Sequence, residues 1–339
     1  MGWFAAVDLH GDNGYYGIID ETGRRVFEKR LPNDLATVLS ALDPYRAKLT
    51  KGIVVESTYN WYWLVDGLMN AEYTVQLANP AATEQYSGLK NTDDKTDTFF
   101  LADLQRLGIL RTGYIYPQVD RPIRDILRRR SLLVRHRTAH LLSYQAMTQR
   151  QRGENISAAE ILKLRPEDIA SIYEDENLQL MGKTTLETIR FLTRQIRTME
   201  RGAERQCQLK PEYEKLLTVS GIGRILALTI MLETGPISRF ASAGHYSSYS
   251  RCVRSECTSN GKKKGENNRK NGNRYLAWAY IEAAHFCCRY CPEGKRWYQK
   301  KAAKSGKIIA IKALASKLSK ACYYIMRDQV DFDVKKIFG

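Results

Sequence analysis

The sequence predicts a multidomain protein of the α/β plus α class, in which an N-terminal mixed sheet with flanking helices precedes a helical middle and a mainly helical C-terminal region. Three observations predict this. Short β-rich and helical segments alternate up to Ala78, apolar residues recur at helical spacing through the middle, and basic helical patterns fill the last third. A length of 339 residues suggests two or three domains at roughly 100–200 residues each. The predicted boundaries are 1–150, 151–206 and 207–339.

The first region is predicted to contain five strands and two helices separated by turn clusters. Asn33-Asp34 is suited to cap the first helix, because Asn and Asp side chains accept hydrogen bonds from free backbone N–H groups. The order of elements, β-β-β-α-β-α-β, is that of a ribonuclease-H-like domain. The predicted strands are Trp3–Leu9, Tyr15–Asp20, Arg25–Arg30, Gly52–Glu56 and Tyr73–Ala78, and the helices end at Leu42 and Asn70.

The middle and the C-terminal part are predicted to be helical. Nine arginines stand against one acid, Asp125, between Arg121 and Arg152. A later apolar run has spacings of 3, 3, 4 and 3, which is typical of a coiled-coil seam about two heptads long. Helices are expected after Gly223 and over 275–288 and 308–326, whereas 251–273 has so little hydrophobic pattern that we expect a loop. The seam residues are Leu186, Ile189, Leu192, Ile196 and Met199.

Composition excludes several classes of protein. Hydrophobic residues make up 43% of the chain, enough to bury a core. Lys and Arg number 53 against 37 acids, and the net charge of +16 indicates a polyanionic partner, either nucleic acid or an anionic membrane. No apolar stretch is long enough to span a bilayer, the N-terminus lacks the basic start of a signal peptide, and the seven cysteines are odd in number. We therefore expect a cytosolic protein with reduced thiols.

Four acidic residues are candidates for a metal site. Asp8 ends the first predicted strand, Glu56 ends the fourth, and Asp94 and Asp97 share one face at the start of a helix. The first and fourth strands are neighbours in the predicted topology, so their carboxyl ends can bring these acids together. Four carboxylates repel one another unless cations lie between them, and Mg²⁺ prefers oxygen ligands. Alternatively each acid is solvated or caps a helix, and both interpretations stay open on these residues alone.

The segment around Asp8 also permits a different interpretation. Val7-Asp8-Leu9-His10-Gly11 resembles the first phosphate loop of actin-like ATPases and sugar kinases, which share a related core. No later Gly-rich phosphate loop completes that pattern, and an arginine-rich helix has no purpose in a sugar kinase.

Two basic segments are candidate phosphate-binding surfaces. The arginine excess in 121–152 favours a nucleic-acid surface over a solvated helix face. The basic loop at 257–274 is either a solvated linker or a loop that grips phosphates. Its Ser259 has no histidine nearby, so a metal ion or a lysine would have to activate it as a nucleophile. The candidate nucleic-acid-binding residues are Arg121, Arg124, Arg128, Arg129, Arg130, Arg135, Arg137, Lys262, Lys263, Lys264, Arg269, Lys270 and Arg274.

Two further motifs are weak. Ser220-Gly221-Ile222-Gly223 resembles the hairpin of a helix-hairpin-helix element, whose backbone N–H groups approach a phosphate, but a plain helix start has the same pattern. Cys287-Cys288-x-x-Cys291 has metal-like spacing, yet no second Cys or His pair completes a zinc site, so we expect buried thiols.

A set of short motifs follows one order along the chain. In the N-terminal half they are Ala6-Val7-Asp8, Val54–Thr58 with Tyr62-Trp63, Leu77–Pro80, and Thr92–Asp97 with Leu101-Ala102. In the C-terminal half they are Val219–Gly223, Glu233–Phe240, Thr258–Gly261, Lys270–Leu276 and Gly306-Lys307. Each motif is weak, but the ordered set is specific. It resembles the insertion-sequence-110 family of DEDD transposases, the bridge-RNA-guided recombinases related to pilin-gene invertases.

The resemblance implies a RuvC-like N-terminal domain with an Asp-Glu-Asp-Asp metal site that holds Mg²⁺ or Mn²⁺. Carried over by position, the tetrad is Asp8, Glu56, Asp94 and Asp97. Asp97 is preferred over neighbouring acids because Leu101-Ala102 follows it at the family's offset, which places the other acid three residues earlier.

The resemblance further implies a coiled-coil dimerisation region and a C-terminal transposase domain with a catalytic serine. That serine is Ser259, although the family's Gln-Ser-Gly-like motif here reads Thr258-Ser259-Asn260 and Ser255 lies close by. Ser259 would attack a scissile phosphate to give a phosphoserine–DNA link, with Mg²⁺ at the tetrad polarising the phosphate.

The implied partners are an element-encoded structured RNA, the guide or bridge RNA, together with target and donor DNA. We expect a composite site in which Ser259 of one protomer meets the tetrad of another, within a dimer or tetramer, and the 186–199 seam is a candidate dimer contact. The expected location is the prokaryotic cytoplasm, at the nucleoid when the protein is active, with no membrane association.

Three alternatives remain open from the sequence. A Holliday-junction resolvase or other metal nuclease would use the same tetrad with water as the nucleophile. A basic RNA- or DNA-binding protein with a degenerate nuclease fold would not be catalytic. An actin-like kinase would bind ATP.

Overall fold

A computed structural model of the chain describes residues 2–79, 93–207, 211–254, 256–265 and 271–339. The chain divides into two compact units. The first comprises residues up to Gln118, and the second comprises residues from Val119 to Gly265 and from Gly272 to the end. The division into 1–150, 151–206 and 207–339 stays a prediction. The predicted motif and site residues that lie outside the described residues are Pro80, Thr92, Ser255, Arg269 and Lys270.

The first unit is built on a mixed sheet with flanking helices, as the sequence predicts, but the sheet has six strands and not the five predicted, the sixth being the two-residue strand Thr112–Gly113. Its strands are β1 (Phe4–Leu9), β2 (Asn13–Ile19), β3 (Arg25–Pro32), β4 (Ile53–Glu56), β5 (Val75–Ala78) and β6 (Thr112–Gly113). Its helices are α1 (Leu35–Leu42), α2 (Tyr62–Asn70) and α3 (Asp94–Arg106), with a 3₁₀ turn at Asp43–Tyr45. The strand order is β3-β2-β1-β4-β5-β6, in which β1, β4 and β5 run parallel and the other pairs are antiparallel. This arrangement fits a ribonuclease-H-like domain.

Apolar packing on both faces explains the central strands. Residues 5–9 of β1 and 53–55 of β4 are buried, which is typical of parallel strands covered by helices on both sides. On one face α3 lies across β1 and β2 with Thr98 and Phe99 buried. The approach is so close that a Cβ on Gly17 would lie 2.9 Å from the Phe99 ring. At the start of α1, Asp34 accepts a hydrogen bond from the Thr37 N–H at 2.8 Å, which confirms the predicted cap.

The second unit is mainly helical. Its helices are α4 (Arg121–Arg152), α5 (Ala158–Ile161), α6 (Ile169–Ile172), α7 (Glu176–Cys207), α8 (Pro211–Leu217), α9 (Arg224–Thr234), α10 (Ala243–Tyr249), α11 (Arg274–Tyr290), α12 (Pro292–Ser305), α13 (Lys307–Asp328) and α14 (Val334–Phe338). Short 3₁₀ turns lie at Pro166–Asp168 and Ile237–Arg239. Within the described parts of the chain, no helix combines the length and the apolar character that crossing a membrane requires.

The predicted coiled-coil seam is buried inside the chain. Helices α4 and α7, each 32 residues long, pack along one another. Leu186 and Ile189 of α7 belong to one buried cluster with Tyr144 and Met147 of α4. The seam therefore makes an intramolecular contact, and the dimer contact predicted there is not confirmed.

The segment 251–273, predicted as a loop, contains a β-hairpin. Strand β7 (Cys257–Ser259) pairs antiparallel with β8 (Lys262–Gly265). Asn260 and Gly261 between them have φ values of 52° and 70°, which are the left-handed values that a type I′ turn requires. The prediction of a loop across this part is wrong. The strands are short, and Thr258, Ser259 and Lys262–Lys264 are polar and exposed, so the segment lacks a hydrophobic pattern.

The glycine motif before α9 is explained by packing. Gly221 has a φ of 105°, and a Cβ there would lie 2.5 Å from the Ala283 carbonyl oxygen of α11. Glycine at this position thus lets the turn contact the α11 backbone, and a phosphate contact by this motif stays a prediction. Further along α11, the Cys287 and Cys291 thiols are buried and that of Cys288 is partly buried.

Candidate active site

The parallel pairing of β1 and β4 brings two predicted acids together. Val7 pairs with Val55, so Asp8 and Glu56 follow at the same level of the sheet. Asp8 is 6% exposed and its carboxyl group is hydrogen-bonded to that of Glu56. Burial, this hydrogen bond and the negative charges of Asp8 and Asp97 raise the pKa of Glu56 to about 7. In the absence of a cation, the Asp8–Glu56 pair therefore retains a proton close to neutral pH.

Helix α3 adds Asp94 and Asp97 in its first turn. Burial and the negative charges of Asp8, Asp93 and Asp94 raise the pKa of Asp97. Asp93 caps the helix instead, since its side chain accepts a hydrogen bond from the Thr96 N–H at 2.7 Å. The four acids of the predicted tetrad are thus electrostatically linked, and their catalytic roles stay a prediction.

Two cationic or potentially cationic side chains that were not among the predicted site residues lie against these acids. His10 Nε2 is 3.4 Å from Asp8 Oδ2 and 3.2 Å from Asp94 Oδ2. Arg30, on β3, donates to Asp94 Oδ2 at 2.5 Å and to Asn13 Oδ1 at 2.8 Å. The Arg30 hydrogen bond is the main cause that holds the pKa of Asp94 below its usual value.

The backbone around His10 is held in place by neighbouring amide side chains. Its carbonyl oxygen accepts hydrogen bonds from Asn60 Nδ2 at 2.7 Å and from Asn33 Nδ2 at 3.1 Å. A signal for His10 was present in the sequence, because side chains two residues apart on an extended chain, here Asp8 and His10, point to the same side. Arg30 gave no such signal, since its approach to Asp94 depends on how α3 packs.

The donors present fit a divalent cation. One ligand atom each from Asp8, His10 and Asp94 lies within 4.8 Å of the others. His10 Nε2 is shielded from solvent and lies next to the Asp8 and Asp94 carboxylates, so this nitrogen is placed to act as a ligand together with them. Carboxylate oxygens suit Mg²⁺ and Mn²⁺, and an imidazole nitrogen favours the transition metal of the two.

Ser259 lies in the second unit, at the end of β7 next to the hairpin turn. It is exposed, and it pairs with Lys262 directly across the hairpin. Lys263 and Lys264 are exposed on the same strand. A lysine is therefore the group nearest in the hairpin that could lower the pKa of the serine hydroxyl.

Several arginines that were predicted to bind nucleic acid also have partners within the protein. Arg124 Nε and Arg128 Nε donate to the Glu233 carboxylate at 2.9 and 2.7 Å, and Asn273 Nδ2 donates to it at 2.7 Å. Glu233 is 2% exposed. Burial raises its pKa, but the hydrogen bond from Arg128 and the charges of both arginines outweigh burial and hold the pKa below its usual value. Arg124 and Arg128 are thus counterions of a buried acid, and Arg121 is also buried, while nucleic-acid contact by these three stays a prediction.

The remaining predicted arginines differ in exposure. Arg130 pairs with Glu200 at 2.7 Å, and Arg137 is half-buried. The exposed members of the predicted set are Arg129, Arg135, Lys262, Lys263, Lys264 and Arg274. Nucleic-acid contact by these six stays a prediction.

The sheet and the acids gathered at its edge fit the ribonuclease-H-like class of α/β domains, and this chain carries such a domain beside a helical one. A family model of the IS110-type DEDD transposase domain matches residues 5–149, and the model described as Transposase IS116/IS110/IS902 family matches residues 213–299. The two matches together cover more than half of the chain, and the protein belongs to the IS110 family of transposases. It is therefore a DNA transposase or recombinase. No curated protein sequence matches the chain.

In the metal-free protein, Glu56→Gln is expected to raise the unfolding temperature at about pH 8 and to leave it nearly unchanged near pH 4.5. The folded-state pKa of about 7 exceeds the usual value of 4.5, so the stability contributed by Glu56 falls as pH rises between these values. Glutamine cannot ionise, so the Glu56→Gln variant does not lose this stability as the pH rises. One kcal/mol corresponds to roughly 2–4 °C in domains of 150–250 residues, so we expect a gain of a few degrees. Thermal unfolding in EDTA measures it.

The matched control is Asp103→Asn, since Asp103 pairs with Arg106 at 2.9 Å on the other end of α3. This variant should show no stabilisation at the higher pH. If Glu56→Gln lowered the unfolding temperature at pH 8, the carboxylate repulsion described above would be absent.

Proposed function

We propose that this transposase is an RNA-guided DNA recombinase that cuts and rejoins DNA through a phosphoserine formed at Ser259, assisted by Mg²⁺ or Mn²⁺ at Asp8, Glu56, Asp94 and Asp97. The observation that carries the proposal is the grouping of acids where β1 and β4 end and α3 begins, with ligand atoms of Asp8, His10 and Asp94 within 4.8 Å of one another. A fold that gathers acids which cannot all ionise near neutral pH, with an imidazole nitrogen aimed among them, suits a divalent cation.

The carboxylates of the tetrad would hold the cation, with His10 as a further ligand. The bound ion supplies charge stabilisation to the scissile phosphate. Arg30 pairs with Asp94, and its hydrogen bond to Asn13 would hold the guanidinium in place if Asp94 served as a ligand of the cation. Apolar packing of α3 on β1 and β2 keeps the acids in place throughout.

Ser259 would serve as the nucleophile. Its hydroxyl loses a proton as Oγ forms a bond to the scissile phosphorus, the bond from phosphorus to the 3′ oxygen breaks, and that oxygen takes up a proton and leaves as a hydroxyl. Lys262, opposite Ser259 in the hairpin, supports the step by favouring the deprotonated serine and the anionic phosphate. The phosphoserine link retains the energy of the broken bond, so a new 3′ hydroxyl can reverse the reaction and rejoin strands without ATP.

An RNA encoded by the element would select the DNA. Base pairing between this RNA and the target and donor DNA reads the sequence, while the protein contacts backbones through exposed cations such as Arg129, Arg135 and Arg274. The acids and Ser259 belong to different units of the chain. We infer that the reactive site is composite, with Ser259 of one protomer acting beside the tetrad of another.

Ser259→Ala and Asp97→Asn are each expected to abolish strand exchange, and a mixture of the two inactive variants is expected to recover part of it. In a mixed assembly of composite sites, one site receives both substitutions and another receives neither. Recombination of a donor and a target plasmid, with the element's flanking RNA and Mg²⁺ present, measures the recovery.

The control for this experiment is Asp103→Asn, which lies outside the acidic cluster and should recombine normally. If Ser259→Ala still cleaved DNA, water would be the nucleophile and the protein would be a metal-dependent nuclease. If the mixture stayed inactive while each variant folded and bound DNA, the site would lie within one protomer.

The protein purified from cells that carry its native flanking DNA should retain one discrete structured RNA through a high-salt wash. RNA guidance requires a specific complex, whereas attraction to the net charge of +16 is screened by salt. Sequencing of the retained RNA identifies it, and complementarity to the insertion junctions is the expected result. Recovery of bulk ribosomal and transfer RNA alone would contradict guidance.

A further inference from the structure

A dense run of positive charge lies outside the two segments predicted to bind nucleic acid. Residues 294–327 contain ten Lys and Arg and no Asp or Glu. They form most of α12 and nearly all of α13, two helices that pack against each other in the second unit. The packing includes Lys317 of α13, whose Nζ lies 5.7 Å from the centre of the Trp297 ring of α12.

The cations of α12 line one side of the helix. Arg296, Lys300 and Lys304 are spaced by four residues and are all exposed, so they lie on one face about 6 Å apart along the axis. Lys301 and Lys307 are exposed next to them. We call these five residues the α12 basic face.

The lysines of the α12 basic face have no acidic partner in the part of the chain that the structure describes. Arg296 pairs with Glu293 at 3.1 Å, but no ion pair to Lys300, Lys301, Lys304 or Lys307 is found within the described residues. The arginines of α4 behave differently, since Arg124 and Arg130 are matched by Glu233 and Glu200. Clustered cations repel one another, and a polyanion placed across them relieves that repulsion.

Exposed apolar side chains adjoin this charge. Ile308 and Ile309, in the first turn of α13, are 73% and 57% exposed and directly follow Lys307. Proteins that bind nucleic-acid grooves combine cations on the phosphates with apolar side chains directed at sugars and base steps. A nucleic-acid duplex can therefore contact both the cations of the α12 basic face and the exposed isoleucines beside them.

We propose that the α12 basic face binds the phosphodiester backbone of a nucleic-acid duplex, with Ile308 contacting the adjoining groove. The contact is sequence-independent and adds to the predicted contacts of α4 and the β7–β8 hairpin. The contact depends on neither Ser259 nor the acidic cluster, so it can be tested independently of the proposed recombination chemistry.

The test compares charge reversals at this face with matched reversals elsewhere. Lys300→Glu/Lys304→Glu is the test variant, and Lys51→Glu/Lys163→Glu is the control, because all four lysines are exposed and both pairs change the net charge equally. Affinity for a DNA duplex and an RNA duplex of unrelated sequence is measured in EDTA over a range of salt concentrations. Circular dichroism checks that each variant is folded.

The test variant should bind at least about tenfold more weakly than the unaltered protein, and its plot of log affinity against log salt should be shallower by about 2, since each lost phosphate contact reduces the slope by about 1. The control should lose less than about threefold, with an unchanged slope. Ile308→Ser should weaken binding without altering the slope, because an apolar contact releases no counterions. A loss confined to one of the two duplexes would identify whether DNA or RNA is the ligand.

Equal losses in test and control variants would overturn the proposal by showing an effect of net charge alone. Unchanged affinity in the test variant for both duplexes would also overturn it. A third result would also overturn the proposal: the unaltered protein binds phosphatidylglycerol vesicles, and the test variant loses vesicle binding but retains duplex binding. The surface would then bind a membrane.

Discussion

The parallel pairing of β1 with β4 is the constraint on which the candidate site depends. Because both strands end at one edge of the sheet, Asp8 and Glu56 are brought together in a shielded place, where burial first and the neighbouring Asp8 carboxyl group second raise the pKa of Glu56. Packing of α3 through Thr98 and Phe99 adds Asp94 and Asp97 to the same edge. Apolar burial thus holds acids together against their charge, and a divalent cation is the group that offsets this repulsion best.

The surroundings of the buried acidic side chains differ between the two units. In the second unit, Glu233 receives hydrogen bonds from Arg124, Arg128 and Asn273, so its charge is matched within the protein and its pKa stays low. Such a closed network contributes to the structure, and breaking a buried pair of this kind typically costs about 3–5 kcal/mol. In the first unit, several acids have only Arg30 and His10 beside them within the described residues. Unmatched negative charge at one site, rather than burial alone, distinguishes a ligand-binding carboxylate from a structural one.

Local patterns predicted the parts of the fold that depend on local residues. The apolar runs of β1 and β4, the Asp34 cap and the acids at the strand ends could all be recognised along the chain. The surface against which a buried helix face packs could not be recognised in this way. The 186–199 seam was correctly predicted to be apolar, but nothing along the chain indicated that it packs on α4 of the same chain. Arg124 was predicted to contact phosphate. Its ion pair with Glu233 was not predicted, because Glu233 lies 109 residues away in the sequence. The hairpin at Ser259 was missed although Asn260-Gly261 is a strong turn signal, since hydrophobic pattern was given more weight than turn chemistry.

The account requires above all that the acidic cluster binds divalent cations, and titration with Mn²⁺ followed by electron paramagnetic resonance tests this directly. The full chain, Asp8→Asn and Asp93→Asn would be compared at neutral pH. Asp93→Asn is the matched control. The Asp93 side chain accepts a hydrogen bond from the Thr96 N–H, and asparagine can cap the helix in the same way. The account predicts saturable Mn²⁺ binding to the unaltered chain and to Asp93→Asn, and at least about a tenfold loss of affinity in Asp8→Asn, consistent with the removal of one charged ligand. Equal Mn²⁺ binding by all three proteins would contradict it.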